Sequence, residues 1–146
     1  EALLQGSHVK VRAAVEPVKT AGPDLKLQIA LVEEEVRYSG ENGIRFHTMV
    51  VRSLAGPQAG GLALDASQAS TVEHQFDLDK ISAQLKEHLD DYEVHGRHGK
   101  ITFSEKKNVI DPKRLSIVAF VQNEKSKQVL QATYVQVKPV ELASGK

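Results

Sequence analysis

Residues 25–54, LKLQIALVEEEVRYSGENGIRFHTMVVRSL, read as one long β-hairpin around which the other strands must be arranged. Leu25, Leu27, Ile29 and Leu31 alternate with Lys26, Gln28 and Ala30, the period of a strand with one buried face. Past Leu31 the apolar phase moves to Val32, Val36 and Tyr38, and Ser39, Gly40, Glu41, Asn42 and Gly43 supply the turn. Parity then sets the register, because a slip by one residue sends every side chain to the other face. A five-residue loop, Ser39 to Gly43, puts Tyr38 opposite Ile44, Val36 opposite Phe46 and Val32 opposite Val50. It also brings Glu35 to Arg45 and Glu33 to His47. A two-residue Asn42-Gly43 turn is the rival, but it sets Glu34 against Val51. On the preferred register Ile29, Leu31, Met49 and Val51 make the far half of the hairpin apolar on a face that something must cover.

Outward from the hairpin, His8 to Val18 alternates Val9, Val11, Ala13 and Val15 with polar positions, and Pro17 assigns this strand to an edge. Ala55 to Ser70, rich in Gly, Ala and Ser, reads as a mobile surface loop. Thr71 to Leu78 is a further strand. A helix over residues 80–94 follows, with Asp79 as N-cap, Ile81, Leu85, His88, Leu89 and Tyr92 at helical spacing, and Gly96 as the stop. It suits either the uncovered half of the sheet or one open end. Lys100 to Ser104 reads as a short strand, and Leu115 to Val137 as a second hairpin with apolar residues on both faces. About seven strands and one inserted helix predict an immunoglobulin/fibronectin-like antiparallel β-sandwich. The alternative is an α+β open sheet with one covering helix. Residues 1–146 form a single domain on this reading, with 1–7 and 139–146 as loose ends.

Charge and composition narrow the chemistry. Lys plus Arg and Asp plus Glu number 19 each, so the formal net charge is zero and nothing points to nucleic acid or an anionic membrane. The absence of cysteine removes disulfides, thiolate nucleophiles and CxxC redox chemistry from these residues. No apolar run approaches the roughly 20 residues of a membrane span, and EALLQGSH lacks the regions of a signal peptide. A start at Glu1 suggests a mature product or an excised domain.

Candidate catalytic groups are sparse. His88, His95 and His98 could hold a metal for a hydrolase, but Gly96 and Gly99 place the last two in a turn without zinc-ligand spacing. His47 reads as a cross-strand partner and His74 as a half-buried sheet residue. Glu33 to Glu35 and Asp90-Asp91 lack the stepped ligands and glycine turn of a calcium loop. The serines have no GxSxG elbow, and Gly56, Gly60 and Gly61 form no phosphate loop. No cofactor is expected. The surfaces best placed for recognition are the turn Ser39 to Gly43 and the long loop with Gly56, Gln58, Gly60 and Gly61.

The stretches Val36 to Gly56 (VRYSGENGIRFHTMVVRSLAG), His74 to Glu93 (HQFDLDKISAQLKEHLDDYE) and Asp111 to Ala132 (DPKRLSIVAFVQNEKSKQVLQA) carry a resemblance. The chain resembles the β-sandwich module found C-terminal to a thioredoxin-like or lipoprotein-like region in secreted and envelope proteins of bacteria. That resemblance implies a noncatalytic accessory or scaffolding domain of an exported protein. It also implies an extracytoplasmic location, a neighbouring domain of the same polypeptide as partner, and any redox chemistry residing in that neighbour. Its motifs are turns and strand patterns, so they assign no catalytic residue.

Overall fold

The computed structural model describes residues 1–19, 22–40, 42–57, 60–97 and 99–140. In chain order the strands are β1 (Ala2–Gln5), β2 (His8–Val15), β3 (Leu25–Arg37), β4 (Phe46–Leu54), β5 (Leu62–Ala63) and β6 (Ser70–Asp77). Helix α1 (Leu78–His95), a 3-10 turn (Pro112–Arg114), β7 (Leu115–Asn123), β8 (Val129–Gln136) and β9 (Lys138–Pro139) complete the series. One sheet has the order β6-β2-β1-β9, the other β4-β3-β7-β8 with β5 beside β3. All pairings are antiparallel except that of β1 with β9. The expectation of an antiparallel β-sandwich with one helix holds.

The core sits where the alternating faces meet. Val9, Val11 and Val15 of β2 and Phe76 of β6 form one cluster with Leu25, Leu27, Ile29 and Leu31 of β3 and Leu115, Ile117, Ala119 and Val121 of β7. Burying each large aliphatic side chain stabilises the fold by about 1.5–3 kcal/mol. Ala30 and Val32 are buried as well but stand outside this cluster, on the other face of β3. Their cover comes from their own sheet: Ala30 lies opposite Leu54 and Val118, and Val32 opposite Val51 and Ser116.

Helix α1 begins earlier than its spacing suggested. Asp77, not Asp79, is the N-cap, its side chain accepting from Lys80 N at 3.0 Å, while Asp79 lies in the first turn where the helix dipole favours an acid. Gly96 ends the helix as expected, its N–H donating to Tyr92 O at 2.9 Å. Leu78 and Ile81 enter the core, and Leu78 N donates to Ser7 O in the β1–β2 turn. The helix therefore adjoins the rim of the sandwich and leaves Ala30 and Val32 to their strand neighbours.

The register of the central hairpin departs from the parity argument. Val36 lies opposite His47, Glu35 opposite Thr48 and Glu33 opposite Val50, one residue away from the expected pairing of Val36 with Phe46. Tyr38 N donates to Arg45 O at 3.0 Å, so the loop is residues 39–44 rather than 39–43. The sixth loop residue sets that offset at the tip, and two irregularities farther along break the alternation on which parity relies. Met49 has φ +53°, and the register shifts between Leu31 and Val32, where Arg52 bulges out of step. Apolar alternation in β4 therefore does not report a single face.

Other expectations also change. β2 is not an edge strand, since it lies between β1 and β6. Residues 1–7 are not a loose end: β1 pairs with β2 across a Gly6-Ser7 turn, and Ala2 is buried. Lys138 and Pro139 pair with β1, and residues 141–146 lie outside the described residues. Lys100 to Ser104 is irregular chain rather than a strand.

The segment from Ala55 to Ser70 is anchored rather than mobile along its described parts. Ala55 and Ala66 are in the core, Ala66 O accepts from Val18 N at 2.8 Å, and β5 pairs with Lys26 and Leu27. Gly56 (φ +95°) and Gly61 (φ +73°) are required by this packing, since a Cβ on Gly56 would stand 2.4 Å from Gly61 O. Gly56→Ala should therefore cost more than about 1 kcal/mol in chemical denaturation. Gly22→Ala, with no contact and no positive φ, should stay within about 0.5 kcal/mol.

Candidate functional site

Two adjoining hollows lie between the hairpin tip, helix α1 and the chain that follows it. The first, about 300 Å³, is walled by Val36, Val50, Leu85, Leu89 and Phe103, with Tyr38, His47, Arg52, His88, Glu105 and Lys107 around it. The second, about 400 Å³, is lined by Arg37, Ser39, Arg45, Phe46 and Ser104 and shares Tyr38, Glu105 and Lys107 with the first. Together they make a groove with an apolar slot and a polar, cation-rich end. A larger hollow of about 500 Å³ is lined by β1, β2 and β6 side chains and by Glu1. Its lining comes from one sheet and the chain start, with Lys10, Arg12, Glu73 and Gln75 beside Leu3 and Val11.

Sequence dictates the groove's walls in three ways. Leu85 and Leu89 continue the helical stripe of Leu78 and Ile81 beyond the core. The segment after α1 is tied down as a strap: Lys106 Nζ reaches Asp90 and Glu93, each at 2.6 Å. Phe103 N donates to Glu93 Oε1 at 2.8 Å, and the Phe103 and Tyr92 rings stack at 6.1 Å. The hairpin wall is locked to the far end of the strap by Arg52, whose Nη2 donates to Lys107 O at 2.6 Å and to Val109 O at 3.3 Å.

Arg52 also meets Glu33. The two side chains are only 7% and 6% exposed, with Nε 2.9 Å from Oε2. The Nε–H is not directed at that oxygen, so both atoms lack a hydrogen bond although the charges touch. Burial raises the Glu33 carboxyl above its ordinary range, and the Arg52 charge opposes that rise. Glu33 Oε1 accepts from Asp111 N at 3.3 Å. The pair thus fastens β3, β4 and the strap at one point.

The residues named from sequence do not converge. Ser39 lines the cationic end of the groove, and Asn42 Oδ1 accepts from Ile44 N within the same turn. Gly56, Gly60 and Gly61 lie beyond the opposite end of β4, a nine-residue strand of about 30 Å. Glu41 and Gln58 lie outside the described residues, as does His98. His95 Nδ1 is 2.8 Å from Asp91 on an exposed helix face, and His88 faces the groove. Among the described residues no three potential metal ligands gather. Glu33 does not meet His47, nor Glu35 Arg45: His47 Nε2 is 3.2 Å from Tyr38 O, and Glu35 takes Arg37 at 2.8 Å and Arg114 at 2.7 Å. His74 is half-buried as expected, edge-on to Phe76 at 4.6 Å, and burial lowers its pKa.

No family model matches the chain, and no curated protein does. Among solved structures, HBP35 of Porphyromonas gingivalis is similar in fold, with a TM-score of 0.59 at 13% identity. That likeness covers 97% of this chain and 40% of HBP35, so the chain spans two fifths of the length of that neighbour. A domain of the outer membrane lipoprotein Omp28 from the same organism aligns over 89% of this chain and 94% of its own, at a TM-score of 0.39 and 13% identity. No helix among the described residues is long and apolar enough to cross a membrane.

Removing either anchor of the strap should have a distinct signature. Arg52→Met leaves Glu33 buried without its counter-charge and should cost about 3–5 kcal/mol at neutral pH. Burial raises the Glu33 pKa and Arg52 opposes the rise, so without Arg52 it rises further, and on acidification the variant takes up the proton before wild type and regains stability. The gap to wild type in urea titrations should therefore narrow on acidification. Hydrogen bonds from Lys106 hold Asp90 and Glu93 below their ordinary range, so that anchor is complete above the usual carboxylate pKa and is lost as pH falls through the lowered values. The nuclear Overhauser contact between the Tyr92 and Phe103 rings should fade in acid, and in Lys106→Met it should be weak already at neutral pH.

Proposed function

We propose that this chain is a noncatalytic accessory module of a larger exported bacterial protein, and that it binds a neighbouring domain through the groove beside the hairpin tip. The observation that carries the reading is the groove itself, an apolar slot with a charged end held by three separate elements. Exposed apolar surface rimmed by polar groups marks sites where a protein partner or ligand docks. The proportion of HBP35 that the chain matches supports a module within a longer polypeptide. Extracytoplasmic placement and a thioredoxin-like neighbour follow from the sequence resemblance.

The strand partition supports an immunoglobulin-type sandwich. With the two-residue strands β5 and β9 set aside, the first, second and fifth strands form one sheet and the third, fourth, sixth and seventh the other, the arrangement in which a C′ strand joins the GFC sheet. A metal-dependent hydrolase using His88, His95 and His98 is less well supported, since the helix directs His88 to the groove and His95 to Asp91.

A cleavable junction placed before residue 1 in the parent polypeptide tests the module reading. After cleavage, this domain should remain bound to the remainder during gel filtration, and Leu89→Asp should release it without lowering its melting temperature by more than a few degrees. Free separation of the wild-type halves would refute the reading. Stoichiometric zinc lost on His88→Ala would favour the hydrolase instead.

A further inference from the structure

We propose that the groove seats an extended acidic peptide segment, with one large apolar side chain in the slot and a neighbouring carboxylate at Arg45. The inference rests on the binding-module reading and names the chemistry of what is bound.

Charge is the first support. The wide end of the groove presents Arg37, Arg45 and Lys107 against one acid, Glu105. Lys107 is already paired with Glu105, and Arg37 with Glu35. Arg45 has no carboxylate partner among the described residues and is exposed on the groove's wall. A carboxylate arriving there gains a cation without displacing an internal pair.

Backbone geometry is the second support. β4 ends its sheet, so its outer edge has no strand neighbour among the described residues. Edge strands are commonly blunted by lysine or proline. β4 contains neither, and its one arginine, Arg52, is turned inward. Phe46 (57% exposed) and Val51 (53%) stand open along it. An extended peptide can pair with this edge while its side chain enters the slot between Val50 and Leu89. The positive φ at Met49 and the bulge at Arg52 confine regular pairing to the Phe46 end, next to Arg45. A fatty acid also joins an apolar body to a carboxylate, but the slot is open, short and bordered by the strand edge.

The test is a nuclear magnetic resonance titration of the whole chain with capped hexapeptides carrying one phenylalanine and two aspartates. Control peptides replace the phenylalanine with alanine or the aspartates with lysines, and dodecanoate is run beside them. The acidic peptide should shift the amides of Arg45, His47, Val50 and Leu89, and loss of its phenylalanine should weaken binding at least tenfold. Arg45→Glu should weaken the acidic peptide at least fivefold and strengthen the lysine peptide, with the thermal melt unchanged. Equal binding of all peptides, no effect of Arg45→Glu, or binding of dodecanoate alone would overturn the proposal. Those results leave the gel-filtration test of the module reading untouched, so the two can fail separately.

Discussion

One constraint organises the molecule: β3 buries the whole of its inward face from Leu25 to Leu31 and, at Ala30 and Val32, the middle of the other. Its odd-numbered residues from Leu25 to Leu31 fill the space between the sheets, while Ala30 and Val32 are sealed from the other side by β4 and β7. A strand in that position needs hydrogen-bonded neighbours along its length, and β7 on one side with β4 and β5 on the other provide them. The two-residue β5 matters for this reason. It takes up the bonding of Lys26 and Leu27 after β4 has ended, which ties the glycine-rich segment to the core.

The same strand explains the polar chemistry at its far end. Beyond Leu31 the apolar residues give way to three glutamates, and each is compensated differently. Glu33 is buried against Arg52. Glu34 accepts from the Ser116 and Tyr134 hydroxyls at 2.6 and 2.5 Å and from Gln136 at 3.1 Å, and these bonds hold its carboxyl below the ordinary range. Glu35 is shared by two arginines. Carboxylates so placed connect β3 to β4, β7, β8 and the chain before β7, so the groove's hairpin wall is fixed by charge where the core no longer reaches it.

Most of the architecture was legible because period-two alternation is strong in β2, β3, β6 and β7. What was missed has local causes. β1 is only four residues, but Gly6-Ser7 between ALLQ and HVKV was a two-residue hairpin signal open to reading. The register failed because the loop takes a sixth residue and because parity assumes unbroken alternation, which Met49 and Arg52 interrupt. Asp77 outcompeted Asp79 as cap because the backbone turns one residue before Leu78, a choice the spacing of Ile81 and Leu85 leaves open. The groove was half visible: Leu85 and Leu89 were on the helical stripe and Ser39 in the favoured turn. The strap that closes it has no periodicity, and its Lys106 anchors lie 13 and 16 residues back in the chain. A lone arginine inside the apolar run of β4 was the available hint of a buried partner.

The parallel pairing of β1 with β9 joins the first and last described strands, Leu3 beside Lys138 and Leu4 beside Pro139, with Val140 N donating to Leu4 O at 2.9 Å. In that arrangement a pull on the chain entering β1 and a pull on the chain leaving β9 act along the strands in opposite directions. The bonds between them are then loaded together in shear instead of being peeled one at a time. With β2 holding β1 along its other side, tension passing through this domain meets a mechanical clamp at the point where it enters, and the hairpin, helix and groove stay outside the line of force.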